Sequence, residues 1–462
     1  MSGREIFRLL FAGPRSASEL ATALGVSQPT LSRTIRTLAA SITSFRVTGR
    51  RTPLYGLLRP LPMGLHPRQR IHRYLDQGQI RPFAEMEFLA GGGTLERTST
   101  RTTLYAGLPP YMAFAAPSGF LGRQLAQDVA RAQQLFPASL RDWGDEHRVA
   151  YLFTQGLNLS GNLVFGDVAL QREMELRSAT PISAGEKLAH YIEMASALKA
   201  AVYGSSAGGE QPKFLSLTQD TGHVIVKFAR RGSRMAELLP LEHLALRALA
   251  ECGVPACATQ LLVGGDYVFL EVVRFDRVGL TGRIGMLSAG SVDDEFFGQR
   301  DTWSQFAARC AQARYLRPAD VQHIDTLAAF SELIGNNDRH FENIALLIDE
   351  DGEYQGLAPA YDILPMRYAP IGGGLDPDFT PIEPRIGSIG TRPEVWGLAW
   401  RAAERFWLSV QREEDASLAR HLSPEMRQLA VRNLETARAF AAPLVASSRQ
   451  AHRPTRFPAH RC

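Results

Sequence analysis

Lysine is the residue this sequence most nearly does without. Of 51 basic residues four are lysines, Lys187, Lys199, Lys213 and Lys227, and the rest are arginine. A GC-rich genome produces such a bias wherever either cation serves. A retained lysine therefore marks a place that wants a compact ammonium and not a planar guanidinium fork. Long apolar runs are missing too. Nothing approaches the roughly 18–20 apolar residues of a membrane span, and the opening segment, broken by Arg4 and Arg8, lacks a signal-peptide pattern. The four cysteines, at 252, 257, 310 and 462, form no C-x-x-C pair and no zinc-type spacing with histidine. These absences argue against a membrane partner, a disulfide framework and a zinc site, and they make the cytoplasm the expected compartment. A net charge of +4 over 462 residues is no argument for nucleic acid by itself. The composition, 45% hydrophobic and 21% charged, is that of a globular chain with material for about three domains.

What is present centres on Gly335-Asn336-Asn337-Asp338-Arg339-His340-Phe341-Glu342-Asn343. This stretch joins an apolar helical run, 327–334, to a strand-like run, 344–348. Phosphoryl transfer from ATP needs a carboxylate that orients and deprotonates a hydroxyl, with oxygen ligands for Mg²⁺ close by. A protein-kinase catalytic loop supplies them as D-x-x-x-x-N, the spacing of Asp338 and Asn343. After a turn at 349–352, Asp362 in Ala360-Tyr361-Asp362-Ile363 stands where a second metal-binding carboxylate is expected. Acid and amide pairs at this distance also arise by chance in loops, so the rest of the chain has to supply a phosphate loop and a lysine.

Residues 1–60 read as a winged helix-turn-helix. A helix over 4–12 is followed by a second capped by Ser16 or Ser18, a turn at Gly25, and a third capped by Ser27 in which Leu31, Ile35 and Leu38 repeat at i, i+4, i+7. Its other face carries Gln28, Thr30, Ser32, Arg33 and Arg36, the hydroxyls, amide and arginines a major-groove reader uses. Runs 42–47 and 54–58 make a hairpin wing with Arg50 and Arg51 at its tip. A three-helix protein-interaction module is the other reading; the row Glu19-Leu-Ala-x-x-Leu-Gly-Val-Ser-Gln-x-Thr-Leu-Ser-Arg is similar to bacterial regulators and favours DNA.

Prolines 60, 62 and 67 mark a boundary. Residues 68–200 show strand-like pieces at 81–89 and 102–106, amphipathic helices at 121–135 and 187–201, and turn-and-strand material at 156–163 and 166–170. No chemistry is visible there, and the expectation is a scaffold subdomain over the nucleotide site. Chemistry returns in the nucleotide-binding part, 201–300. Gly208 and Gly209 let backbone N–H groups approach phosphate, and Lys213 can neutralise it, although the pattern is neither Walker A nor G-x-G-x-x-G. The strand Val224-Ile-Val-Lys227-Phe carries a lysine, and the helix after it, 238–252, carries Glu242. Together they suit the ion pair that orders a kinase site, with a surface Glu242 as the alternative. A hairpin around Gly264-Gly265 leads into 271–277, placed for a hinge that meets adenine through its backbone. From about 302 the pattern turns helical (303–314, 318–334, 392–411, 424–446), giving a C-lobe over 301–448 and a basic tail over 449–462. The expected fold is α+β: a two-lobed protein-kinase-like fold with a mixed α/β N-lobe and a helical C-lobe, behind a winged helix-turn-helix.

Five motifs, in order, resemble those of HipA-like serine/threonine kinases, the toxins of bacterial HipBA toxin–antitoxin modules. They are Ser206-x-Gly-Gly-x-Gln-Pro-Lys, Ile-Val-Lys227-Phe, Arg274-Phe-Asp-Arg, Gly335-Asn-x-Asp338-Arg-His-x-x-Asn343 and Leu357-Ala-Pro-x-Tyr-Asp362. The likeness spans about 70–445, and the fused helix-turn-helix is similar to the YjjJ-type branch. It implies Asp338 as catalytic base, Asn343 and Asp362 as Mg²⁺ ligands, and Glu242 as the partner of Lys227. It implies ATP contacts from Gly208, Gly209, Glu210, Gln211, Pro212, Lys213, Lys227, Val273, Arg274, Phe275, His340 and Asn343. It also implies autophosphorylation at Ser206, with Ser205 adjoining. The implied partners are a protein substrate, an aminoacyl-tRNA synthetase in the best-known relatives (glutamyl-tRNA synthetase), together with DNA, a HipB-like antitoxin and a second copy of the chain. Departures are Pro212, where some relatives carry an acid, and Val273, with the acid shifted to Glu271. Against the active kinase stands a DNA-binding regulator whose kinase fold senses nucleotide. A small-molecule kinase would read H-x-D-x-x-x-x-N, whereas here Asn336 precedes Asp338 and the histidine follows it.

Overall fold

The computed structural model describes residues 3–202, 211–371, 375–412 and 421–451. It divides into two compact units: 1–179 with 276–285, and 180–275 with 286–462. The first unit begins with α1 (Gly3–Phe11), β1 (Arg15–Ser16), α2 (Ala17–Leu24) and α3 (Gln28–Thr37), followed by β2 (Ile42–Phe45) and β3 (Leu54–Leu57). Ser16, not Ser18, caps α2: its Oγ accepts the Glu19 N–H at 3.3 Å and the Glu19 carboxylate accepts the Ser16 N–H at 2.7 Å. Gly25 ends the helix at φ 64°, a turn that favours glycine. Ile6, Leu10, Leu20, Leu31, Ile35 and Ile42 close one core, and the three strands pair in the order β1-β3-β2. This is the winged helix-turn-helix expected.

An antiparallel sheet follows, ordered β7-β6-β5-β4-β8, from β4 (Arg68–Tyr74), β5 (Ile80–Phe88), β6 (Thr94–Arg97), β7 (Thr102–Tyr105) and β8 (Leu163–Phe165). The helices α4 (Pro110–Ala115), α5 (Gly119–Ala132), α6 (Asp145–Gln155) and α7 (Gly166–Leu176) complete the unit. Here the sequence expectation of turn-and-strand at 166–170 is corrected. Gly166 turns the chain at φ 83°, and α7 then runs on through Gln171-Arg-Glu-Met-Glu-Leu176, good helix formers that outweigh the short Val168-Ala-Leu run.

The second unit opens with α8 (Lys187–Val202), β9 (Lys213–Thr218), β10 (Gly222–Arg230), α9 (Arg234–Glu251), β11 (Thr259–Gly264) and β12 (Tyr267–Val273). The strands form one antiparallel sheet, β11-β12-β10-β9. Side chains alternate across it. Val224, Val226 and Phe228 of β10, with Tyr267 and Phe269 of β12, pack under Tyr191 and Ala195 of α8. Ala229 of β10, with Val268, Leu270 and Val272 of β12, packs under Ala236 and Leu239 of α9. Hence α8 belongs to this sheet. Lys227 shares the α9 face, and the register sets Lys213 directly opposite it on β9.

The chain next gives the first unit a small hairpin, β13 (Arg277–Val278) with β14 (Gly282–Arg283). Asp276 there accepts the Gly161 N–H at 2.8 Å, and Arg277 donates to the Leu159 carbonyl at 2.7 Å. Back in the second unit come β15 (Gly285–Ser288), α10 (Ala289–Phe296), α11 (Trp303–Gln312), α12 (Pro318–Ile334), β16 (Ala345–Ile348), β17 (Tyr354–Leu357), α13 (Pro393–Gln411) and α14 (Pro424–Ala451). Trp396, Phe406 and Trp407 of α13 are buried, and the Trp407 indole N–H donates to the Leu333 carbonyl of α12 at 2.9 Å. A sheet lobe and a helical lobe thus follow in sequence. The loop 335–343 joins α12 to β16.

Phe269 lies wholly buried between Tyr191, Phe228 and Tyr267. Phe269→Ala is expected to destabilise the second unit by about 3–5 kcal/mol, seen as a lower urea midpoint with an unchanged slope.

Candidate active site

The Lys227 ammonium is buried, and a helix and a loop supply its partners. Burying a charge without partners is costly. Glu242 of α9, wholly buried, takes it with both carboxylate oxygens at 2.7 Å, and Asp362 pairs with it from the segment after β17. Burial alone would depress the lysine's pKa; the Asp362 and Glu242 carboxylates reverse that and hold it well above its ordinary value. Asp362 is driven the other way. Burial would raise its carboxyl, but Lys227 and then Lys213 hold it far below the usual range, fully ionised. Glu242 is pushed up by burial against the pull of Lys227.

Asp362 adopts φ 56°, a conformation rare outside glycine and asparagine. Neighbouring contacts hold it there. Ala360 bridges to Ala256, the Tyr361 ring lies 5.7 Å from that of Phe275, and the Tyr361 hydroxyl donates to the Glu342 carbonyl at 2.8 Å.

The loop 335–343 is built by its own polar groups. Gly335 caps α12 at φ 77°, and Asn336, buried, accepts the Asp338 N–H on its side-chain oxygen at 3.1 Å. A 3₁₀ turn, Phe341–Asn343, then brings Asn343 back so that its Nδ2 donates to the Asp338 carbonyl at 2.9 Å. The five-residue spacing is therefore a closed loop, with the Asn343 Oδ1 left to accept from elsewhere or bind a cation. The Asp338 side chain is 43% exposed and faces His340, whose Nε2 stands 3.5 Å from Oδ1.

Of the remaining ATP-binding expectations, Gly208, Gly209 and Glu210 lie outside the described residues, as do Ser205 and Ser206. Gln211, Pro212 and Lys213 lead into β9, and the buried Gln211 Nε2 has no hydrogen-bond partner. The hinge expectation changes. The Val273 N–H donates to the Ala258 carbonyl at 2.9 Å and the Arg274 N–H to the His223 carbonyl at 3.0 Å, so both amides are spent within the sheet. Glu271 does not face this site. It is buried on the α8 face, 3.1 Å from Lys187 and 2.5 Å from the Tyr191 hydroxyl. In the first unit Gln28, Arg33, Arg36, Arg50 and Arg51 are exposed, while Thr30 and Ser32 are half-buried.

Several loop-positioning groups escaped the sequence reading. Glu342 takes Arg300 at 2.6 Å and His340 Nδ1 at 3.3 Å, and the Trp303 indole donates to the His340 carbonyl at 3.1 Å. Glu342 sits inside the motif yet follows no pattern of its own, and Arg300 is remote in sequence.

Three family models match the chain: a helix-turn-helix domain over 4–41, the middle domain of YjjJ-like toxins over 65–174, and a HipA-like C-terminal domain over 205–430. The chain is 33% identical over 435 residues to Toxin YjjJ of Escherichia coli (strain K12), covering 91% of this chain and 96% of that protein. A solved complex of the Shewanella oneidensis MR-1 toxin–antitoxin system, HipA and HipB with operator DNA, contains a chain similar in fold. The TM-score is 0.50 at 14% identity, over 81% of this chain and 99% of that one.

The His340 imidazole is raised above 6.5, first by its hydrogen bond to Glu342 and then by the charges of Asp338 and Glu342. Glu342 is lowered from 4.5 to about 2 by His340 and then Arg300, against burial. The histidine's contribution is complete below 6.5 and fades as pH rises through the raised value. The glutamate's is complete above 4.5 and fades as pH falls through about 2. The pair is fully formed between 4.5 and 6.5. NMR titration should find His340 above 6.5 in the native chain and closer to 6.5 in Glu342→Gln.

Proposed function

The chain belongs to the HipA-like toxins, in their YjjJ-type branch, and from that footing we propose that it is an ATP-dependent serine/threonine protein kinase. The observation that carries this reading is the Lys227 ammonium held between Glu242 and Asp362 beside the Asp338–Asn343 loop. A strand lysine fixed by a helix glutamate is what orders a kinase site for the phosphates of ATP. Lys213 beside it and the unpartnered Gln211 amide suit further phosphate oxygens.

The residues also fit Mg²⁺. An ionised carboxylate, Asp362, and a free amide oxygen, Asn343 Oδ1, are hard ligands of the kind the ion takes together with phosphate oxygens. The ion would neutralise charge on the β- and γ-phosphates. Asp338 then orients the substrate hydroxyl and accepts its proton as the oxygen bonds to the γ-phosphorus and the bond to the ADP oxygen breaks. Asn336 and Asn343 hold the Asp338 backbone on either side, which sets where that carboxylate can reach. The substrates in this reading are a cytoplasmic, translation-related protein such as an aminoacyl-tRNA synthetase, and Ser206 of the chain itself. The exposed face of α3 and the wing would bind duplex DNA, with a HipB-like antitoxin and a second copy of the chain as partners.

Incubation with γ-labelled ATP and Mg²⁺, alone and with cell lysate, should label the chain and a lysate protein. Chelation of Mg²⁺ should abolish the label, and Asp338→Ala should lower the rate by about 10²–10⁴-fold. An unlabelled wild type that still binds ATP would overturn the kinase and leave a nucleotide-sensing regulator. DNA binding should fall steeply with salt and weaken in Arg33→Ala and Arg36→Ala. Salt-insensitive or absent binding would assign the first 60 residues to protein interaction.

A further inference from the structure

In the first unit the wing is not a free hairpin. Phe45 and Leu58 share a buried core with Leu89 and Leu95 of the five-stranded sheet, and Val47, Leu54 and Leu104 pack around them. Hydrogen bonds stitch the same seam. The Thr43 hydroxyl donates to Glu87 at 2.7 Å, Arg97 donates to the Ser44 carbonyl at 3.2 Å and to Glu87 at 3.2 Å, and the Arg59 N–H donates to the Phe88 carbonyl at 3.0 Å. At its outer end the wing meets the β6–β7 turn. The Thr48 N–H donates to the Thr102 carbonyl at 2.9 Å, and the Thr102 N–H donates back to the Thr48 hydroxyl at 2.8 Å. Two hairpin tips, 49–52 and 98–101, therefore stand side by side.

Their chemistry is alike. Residues 42–57 and 97–105 contain five arginines, at 46, 50, 51, 97 and 101, and no aspartate or glutamate, although the whole chain carries a net +4. The acid of the second hairpin, Glu96 in β6, is wholly buried. The turn 98–101 is held rigid: the Thr98 N–H donates to the Arg101 carbonyl at 2.9 Å, and the Thr98 Oγ accepts the Arg101 N–H at 3.1 Å. Ser99, Thr100 and Arg101 stay exposed, and the nearest carboxylate oxygen to the Arg101 guanidinium is 3.9 Å away on Glu96. A basic, hydroxyl-bearing turn of fixed shape is what grips a phosphate backbone. Such contacts position a protein on DNA without reading sequence.

We propose that the β6–β7 turn is a second DNA-contacting finger. The DNA surface then extends from α3 and the wing onto the five-stranded sheet, with Arg101 on a backbone phosphate beside those taken by Arg50 and Arg51. The inference rests on the DNA-binding reading of the helix-turn-helix. Because the seam is packed and hydrogen-bonded, the two fingers meet the duplex as one piece.

The test uses the full chain and a mixed-sequence duplex a few helical turns long, with binding followed across salt concentrations. Each phosphate neutralised contributes about 0.9 to the slope of log K against log salt. Arg101→Ala should reduce the slope by about one contact and weaken binding roughly three- to tenfold at low salt, while Arg101→Lys keeps the slope. An unchanged slope in Arg101→Ala, in a chain whose binding Arg33→Ala still weakens, would overturn the second finger and leave the helix-turn-helix reading standing. Absence of binding by the unmodified chain at low salt would overturn both.

Discussion

An ammonium buried in a protein must be answered by negative charge, and the second unit is arranged around that requirement. Lys227 sits on a central strand, on the face that α9 covers, and is almost wholly buried. Glu242 answers from the helix and Asp362 from a loop that belongs, in sequence, to the helical part of the unit. One cation thereby ties a strand, a helix and a distant loop together. Removing either acid leaves the buried cation with one carboxylate in place of two. The same sheet repeats the device on its other face, where Lys187 meets Glu271. Three of the four lysines, 187, 213 and 227, lie on or against this one sheet. Lys187 and Lys227 are both buried between strand and helix, where a compact ammonium meets a carboxylate.

The legible part of the site was the part governed by local rules. The loop 335–343 could be recognised because helix end, acid and amide all fall within nine residues, and Asn343 closes back on Asp338 within the same loop. Lys227 stood out through rarity, and Glu242 as an acid on the next helix, where it proves to lie at the middle of α9. The recognition helix was legible from its cap and its apolar repeat. What could not be read depends on pairing between remote segments. β4 is charged and β8 only three residues long, and the two pair across some ninety residues of intervening chain. Glu342 matters through Arg300, and Glu271 was assigned to the hinge because nothing local says which face of a strand it occupies. A period-two shift decides that, and it is visible only once α8 and α9 are in place.

The hinge illustrates how a backbone argument is settled by hydrogen bonds. Val273 and Arg274 follow the strand in the expected order, yet their N–H groups already serve Ala258 and His223. The Phe275 ring, next along the chain, lies against Tyr361 beside Asp362. That contact couples the end of the sheet to the segment carrying Asp362 through packing instead of charge.

The small hairpin at 276–285 carries a consequence for how the chain is made. The first unit is completed by residues that emerge after the strands and helix of residues 180–275. At ordinary synthesis rates roughly 5–20 s separate residue 179 from residue 276. Through that interval Gly161 and Leu159 wait for Asp276 and Arg277, while the sheet bearing Lys227 already has all its strands but lacks the loop that brings Asp362. The first unit can close once residue 285 has emerged, while the second still waits for the chain from 286 onward. A ribosome stalled before residue 276 would thus display a winged helix-turn-helix on an unfinished base and a sheet whose central cation has Glu242 but lacks Asp362.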